Sequence, residues 1–199
     1  MSNPFLLGLT GSIGMGKSTT AAMFAEAGIP VWDADRTVHD LYAKGGAAVS
    51  PIAAAFPSAV KDGGVDRAEL KKLLSRDKKS LTRLETIVHP LTTASRRDFI
   101  AAHPEADLIL LDIPLLFETG ADAACDATLV VTAPAEVQRA RVLERPDMTE
   151  AQLDFILSRQ MPDAEKRRRA TFVIETLDLE QTRQDVRNLI AKIRGEQDA

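Results

Sequence analysis

The segment Gly11-Ser12-Ile13-Gly14-Met15-Gly16-Lys17-Ser18 fits the pattern G-x-x-x-x-G-K-[ST]. No other stretch constrains the fold so tightly, because such a loop works only where a buried strand ends and a helix begins. The flanks meet that condition. Phe5-Leu6-Leu7-Gly8-Leu9-Thr10 is a short apolar run that reads as a buried strand, and Ser18 to Ala27 reads as a helix stopped by Gly28. Glycines let the backbone curl until successive N–H groups point at one anion. The helix start adds its positive dipole end. The Lys17 ammonium can bridge the β- and γ-phosphates of a nucleoside triphosphate, and the Ser18 hydroxyl can ligate Mg²⁺. The expected ATP-binding set is Gly11, Ser12, Ile13, Gly14, Met15, Gly16, Lys17, Ser18 and Thr19.

The remaining chain supplies a sheet around that loop. Ile29-Pro30-Val31-Trp32 reads as a second strand, closed by Asp33-Ala34-Asp35. Leu108 to Leu111 ending at Asp112, Ala127 to Val131, and Thr171 to Ile174 read as three more, with helical stretches between them. Continuous apolar strands alternating with helices indicate an α/β fold: a P-loop NTPase three-layer sandwich on a five-stranded parallel sheet. The block from 36 to 104 differs. It is mostly helical, with Leu81, Leu84, Val88 and Leu91 at helical spacing and a turn at Gly63-Gly64 before a cap at Asp66. It reads as an insertion, so the expected organisation is a core of 1–35 plus 105–199 and a helical domain of 36–104.

Composition removes several classes. No apolar run reaches membrane-spanning length, so no membrane association is expected. The first Lys or Arg is Lys17, so neither a signal nor a transit peptide is expected, and the cytoplasm is the default compartment. The lone Cys125 allows no internal disulfide and reads as packing. With 25 Lys+Arg against 29 Asp+Glu, the net charge of −4 argues against nonspecific nucleic-acid binding as the main task. His39, His89 and His103 are scattered, without ligand spacing for zinc. The absence of Asn-Lys-x-Asp argues against a GTPase, and Thr19, where a last glycine belongs, argues against a dinucleotide fold.

What remains is a small-molecule kinase. Arg139, Arg141 and Arg145, with Arg159 further on, can supply cations to a transferring phosphoryl group. Arg139 is read as a solvated residue paired with Glu136 and Glu144. Arg141 and Arg145, taken as one turn apart on one helix face, are read as functional. Asp33, at the C-terminal end of a strand, can orient or deprotonate an acceptor hydroxyl, while Asp35 is read as the cap of a helix starting at Arg36. Asp112 closes its strand either as a Mg²⁺ carboxylate or as a loop cap before Pro114. His89-Pro90 interrupts a helical pattern, and Lys166-Arg167-Arg168-Arg169 reads as a solvated helix end. Two alternatives stay open at this level. One is a kinase of nucleoside monophosphates or sugars, and the other a non-catalytic ATP-binding regulatory module.

Beyond these readings, the chain resembles the dephospho-CoA kinase family over nearly its whole length. The resemblance rests on Leu9 to Thr19, Asp33-Ala34-Asp35, and Gly64-Val65-Asp66-Arg67 followed by Leu84-Glu85-x-Ile87-x-His89-Pro90-Leu91. It rests also on Asp112-Ile113-Pro114-Leu115-Leu116-Phe117-Glu118, Arg141-x-x-x-Arg145, Arg159-Gln160-Met161 and Lys166 to Ala170. The family usually has Ala-Asp before the last strand and Asp or Asn, often with Gly, after it; this chain has Ala170-Thr171 and Glu175-Thr176. The resemblance implies transfer of the ATP γ-phosphoryl group to the ribose 3′-hydroxyl of dephospho-CoA, the final step of coenzyme A synthesis. It implies Asp33, Lys17 and Arg141 as catalytic residues, with Arg145 added to the ATP set. Asp33, His89 and Arg159 would contact the acceptor, and Ser18 and Asp112 would serve Mg²⁺. The helical insertion would be the CoA side, and about 134–169 would form a lid. The expected assembly is a monomer or a weak homo-oligomer.

Overall fold

A computed structural model describes residues 3–197. Five strands form one sheet in the order β2-β5-β1-β6-β7. They are β1 (Phe5–Thr10), β2 (Val31–Asp33), β5 (Leu108–Asp112), β6 (Ala127–Thr132) and β7 (Phe172–Glu175). The sheet is parallel with helices on its faces. Leu7 stands beside Leu110 on one side and Ala127 on the other, so β1 is central. Its neighbours were added on opposite sides of it. That reversal opens a crevice at the carboxyl ends of the strands, where the loop after β1 lies.

The apolar runs explain the buried position. Leu7, Leu9, Leu108 to Leu111 and Leu129 to Val131 are wholly buried. Such strands need cover on both faces. α1 (Lys17–Glu26) and α9 (Leu179–Gln197) contribute Ala21, Met23, Phe24, Val186, Leu189, Ile190 and Ile193 to that core. The apolar stripe read from the last helix is therefore its buried face. α6 (Ala135–Leu143), α7 (Glu150–Leu157) and α8 (Asp163–Arg169) fill the stretch between β6 and β7.

The chain divides into two compact units. Residues up to Trp32 and from His103 onward form the first, and Asp33–Ala102 forms the second. The second unit has its own core of Ala48, Ile52, Phe56, Ala59, Leu70, Leu84 and Val88. It contains α2 (Ala34–Tyr42), α3 (Val49–Ala55), the hairpin β3 (Val60–Lys61) and β4 (Gly64–Val65), α4 (Arg67–Arg76) and α5 (Lys78–Ala101). Asp66 caps α4 by accepting from the N–H groups of Ala68 and Glu69, as its place after the Gly-Gly turn predicts.

One expectation fails here. Pro90 does not interrupt the helix; it sits inside α5. A proline removes one i→i−4 bond, and the rest of a 24-residue helix outweighs that loss. Leu81 shares the spacing of Leu84 and Val88 but is 48% exposed, because it lies in the first turn of α5, short of the packed stretch. Among the described residues, no helix is long and apolar enough to cross a membrane.

Candidate active site

The loop after β1 has the backbone that its sequence demands. Gly14 and Gly16 adopt φ of +79° and +83°, a region that side chains disfavour. Neither could carry a side chain in any case. A Cβ on Gly14 would fall 2.5 Å from Val142 Cγ2, and one on Gly16 would fall 2.9 Å from Thr176 Oγ1. Gly16 is also the N-cap of α1, with no side chain capping the helix. The first N–H groups of that helix therefore remain donors for an anion. Ser18 and Thr19 are exposed at this end.

Lys17 leans across the loop to Asp112 at the end of β5, with Nζ 2.6 Å from Oδ1. Asp112 is buried and Lys17 keeps 16% of its side chain exposed. Asp112 was read as a metal carboxylate or a loop cap; the structure adds the role of counter-ion to the loop lysine. Its carboxylate and the Ser18 hydroxyl are hard oxygen donors, the kind that Mg²⁺ takes sparingly beside water and substrate phosphates. The donor chemistry thus fits a divalent ion brought in with ATP. No group of three or more His, Cys, Asp or Glu among the described residues could cage a metal.

Beside the loop lies a cavity of about 240 Å³ lined by Gly14, Gly16, Arg141, Arg145, Thr176 and Leu179 among others. Arg141 is fixed there. Its Nη1 donates to Thr176 Oγ1 at 3.0 Å and its Nη2 to the Thr176 carbonyl. The same hydroxyl donates to Met15 O at 3.0 Å, which ties the arginine to the loop. Thr176 was not singled out from sequence, although it stands where the chain departs from the family's pattern. Arg145 reaches the cavity from beyond the end of α6, not from the same helical turn as Arg141. Arg139 is solvated as expected, but its carboxylates are Glu150 and Asp154 of α7 rather than Glu136 and Glu144. Arg159 is exposed and lies over the Phe155 ring, 4.7 Å from its centroid.

The basic run at the end of α8 requires the largest correction. Arg167, Arg168 and Arg169 are exposed, but Lys166 is wholly buried. Its Nζ lies 2.8 Å from Glu118 Oε1, which also accepts the Met161 N–H at 2.8 Å. Burial pushes the Glu118 carboxyl up, but the Lys166 ammonium and the Met161 N–H outweigh it and hold the group below the usual carboxylate range. Glu118 Oε2 and Asp163 Oδ1 are buried without hydrogen-bond partners among the described residues. The four charges therefore form no single solvated face. A lysine is drawn inside when a carboxylate 48 positions away in sequence is waiting there.

In the second unit, Asp33 and not Asp35 caps α2. Asp33 Oδ1 accepts the Arg36 N–H at 2.9 Å, and the helix starts at Ala34. The strand therefore passes straight into the helix, which leaves Asp35 in the first turn. His89 is exposed on α5. This unit also has a cavity of about 440 Å³, lined by His39, Lys44, Lys61 and Arg67 together with Asp62 and Asp66.

The model of the family described as dephospho-CoA kinase matches residues 5–180. The chain belongs to that family. It is 61% identical to a dephospho-CoA kinase of Cereibacter sphaeroides over 98% of this chain and 99% of the relative. It is 62% identical to one of Jannaschia over 95% of this chain and 97% of the relative. Among solved structures, TT1252 of Thermus thermophilus is 35% identical with a TM-score of 0.84, covering 96% of this chain and 98% of that one. The dephospho-CoA kinase of Campylobacter jejuni, 22% identical with a TM-score of 0.65 over 96% and 98%, shares the fold. Membership of a kinase family makes the chain a transferase, and a kinase that uses ATP is consistent with a need for a divalent metal. Neither a kinase of other small molecules nor a silent nucleotide sensor is favoured.

Proposed function

We propose that this chain transfers the γ-phosphoryl group of ATP to the ribose 3′-hydroxyl of dephospho-CoA, giving coenzyme A and ADP, with the residue roles that follow. The observation that carries the reading is the Lys17 ammonium, held at the mouth of an uncapped helix beside an arginine-lined cavity. A cation there meets charge that spreads over the phosphoryl oxygens in the transition state. The loop from Gly11 to Thr19 holds the triphosphate through its N–H groups. Lys17 exchanges Asp112 for phosphate oxygens, and Arg141 and Arg145 add positive charge from the cavity wall.

Asp33 orients the acceptor hydroxyl and takes its proton as the hydroxyl oxygen bonds to the γ-phosphorus and the bond to ADP breaks. The cap to Arg36 uses one carboxylate oxygen and fixes the plane of the other, which suits a group that must be aimed. Ser18, with Asp112 near the loop lysine, would hold Mg²⁺, which neutralises charge on the β- and γ-oxygens when bound. His89 and Arg159 contact the acceptor. The basic residues around the second unit's cavity suit the phosphates of dephospho-CoA. The stretch from about 134 to 169 acts as a lid that excludes water and so suppresses ATP hydrolysis.

The test is phosphoryl transfer with dephospho-CoA and Mg·ATP. Stoichiometric coenzyme A and ADP is the expected result. ATP consumption with a nucleoside monophosphate or a sugar, and none with dephospho-CoA, would overturn the reading.

A further inference from the structure

One residue of the phosphate loop is held from both sides, through the two peptide units that flank it, by side chains that have no part in the roles above. The Ile13 N–H donates to Gln160 Oε1 at 3.1 Å, and the Ile13 carbonyl accepts from Gln138 Nε2 at 2.7 Å. The backbone itself dictates which end of each amide faces it, because an N–H needs an acceptor and a carbonyl needs a donor. Gln138 is 7% exposed on α6, three residues before Arg141, and Gln160 directly follows Arg159. Each glutamine thus accompanies an arginine expected at the substrates.

Both anchors are built into the packing. A Cβ on Gly14 would lie 2.5 Å from Val142 Cγ2 and 3.1 Å from the Gln138 carbonyl, so α6 rests directly on the loop. The segment carrying Gln160 is secured one residue later, where Met161 donates to Glu118 and the buried Lys166 pairs with the same oxygen.

We propose that Gln138 and Gln160 are positioning residues that clamp Ile13 through its two flanking peptides and set the phosphate loop and the arginine-bearing segment in one register. The inference rests on the kinase reading above. The peptide before Ile13 is pinned at its N–H and the peptide after it at its carbonyl, so neither can turn freely, and the donors from Gly14 to Lys17 follow from the second. Gln138 and Arg141 share a face of α6, so pinning the glutamine sets the direction in which the arginine leaves the helix. A neutral amide satisfies the Ile13 N–H without the like-charge repulsion that a carboxylate would direct at bound phosphates.

The test uses the full chain with Gln160→Leu, Gln160→Glu and Gln138→Leu. Amide exchange at Ile13 is followed by NMR without nucleotide, and kcat and both KM values are measured separately. Gln160→Leu should speed Ile13 exchange by about tenfold, the equivalent of one hydrogen bond. It should also lower kcat by about 10²-fold, the usual result of misplacing reacting groups by an ångström, with KM for dephospho-CoA unchanged. Gln160→Glu, which keeps an acceptor, should restore the slow exchange yet raise KM for ATP. Gln138→Leu should lower kcat without speeding Ile13 N–H exchange, since it removes the donor to the carbonyl.

Unchanged Ile13 exchange in Gln160→Leu overturns the clamp, and so does wild-type kcat in both leucine variants. Wild-type protein that transfers no phosphoryl group to dephospho-CoA overturns the kinase reading instead, while Ile13 exchange still judges the clamp.

Discussion

Two lysine–carboxylate pairs hang from the same stretch of chain, Asp112 at one end and Glu118 at the other. Lys17 meets Asp112 with its side chain partly open to solvent, whereas the Lys166 side chain meets Glu118 with no exposure at all. The distances are alike, at 2.6 and 2.8 Å. The difference lies in what else can reach the lysine. Lys17 sits at a loop whose N–H groups invite an anion, so its carboxylate can be exchanged for phosphate. Lys166 has nowhere to go, and its pair fixes the Met161 backbone instead. The same chemical pair is therefore open to a ligand in one place and locked into the packing in the other, according to access.

The contrast is sharpest in Lys17→Ala. Single-turnover transfer should fall by about 10³-fold or more, since a preorganised charge on the phosphoryl group is lost. Near-wild-type transfer would erase the distinction between the two lysines. Lys166→Met should show its main effect in stability. Denaturant unfolding should report a loss of about 3 kcal/mol, the cost of leaving a buried charge without its partner. Adding Glu118→Leu should recover much of that loss, because removing both charges removes the desolvation penalty. A double variant as unstable as the single one would mean that packing, not charge, sets the cost.

A third carboxylate tests whether access is the rule. Asp33→Asn should keep ATP binding, measured by titration, and lower turnover by about 10²-fold, the scale of a positioned base. Unchanged turnover would remove Asp33 from the chemistry and leave it a helix cap.

The smallest effect concerns pH. The Glu118 carboxyl is depressed from its ordinary 4.5, so the folded state favours its ionised form. Its contribution to stability is full above the ordinary value and is lost as pH falls through the lower folded value. Thermal melts of wild type and Glu118→Gln should differ at neutral pH and converge in acid. A gap that persists in strong acid would show that the charge on Glu118 contributes nothing.

Much of the core was legible because its signals are local. The glycine pattern of the loop, the apolar strands and the stripe of Val186, Leu189, Ile190 and Ile193 each follow from residues within a few positions of one another. The cap on α2 was misassigned because Asp33 and Asp35 are equivalent caps on paper, and only the point where β2 ends decides between them. Lys166 was misread because charge runs are usually solvated. Gln138 went unnoticed, and Gln160 and Thr176 stood only as parts of a family comparison with no role of their own, because a neutral side chain shows nothing in sequence until a backbone group is placed against it.

By itself the sequence determined a strand, a phosphate-binding loop and a helix in the first 30 residues, the parallel sheet around them, and the reaction class that such a loop serves. Local periodicity and the conformational needs of glycine are enough for that. Only the tertiary structure decided which lysine stays open and which is sealed, that Thr176 aims Arg141, and that two glutamines grip Ile13. Those outcomes depend on groups 35 to 147 positions apart, whose meeting is fixed by packing and by the cost of burying an unpaired polar atom.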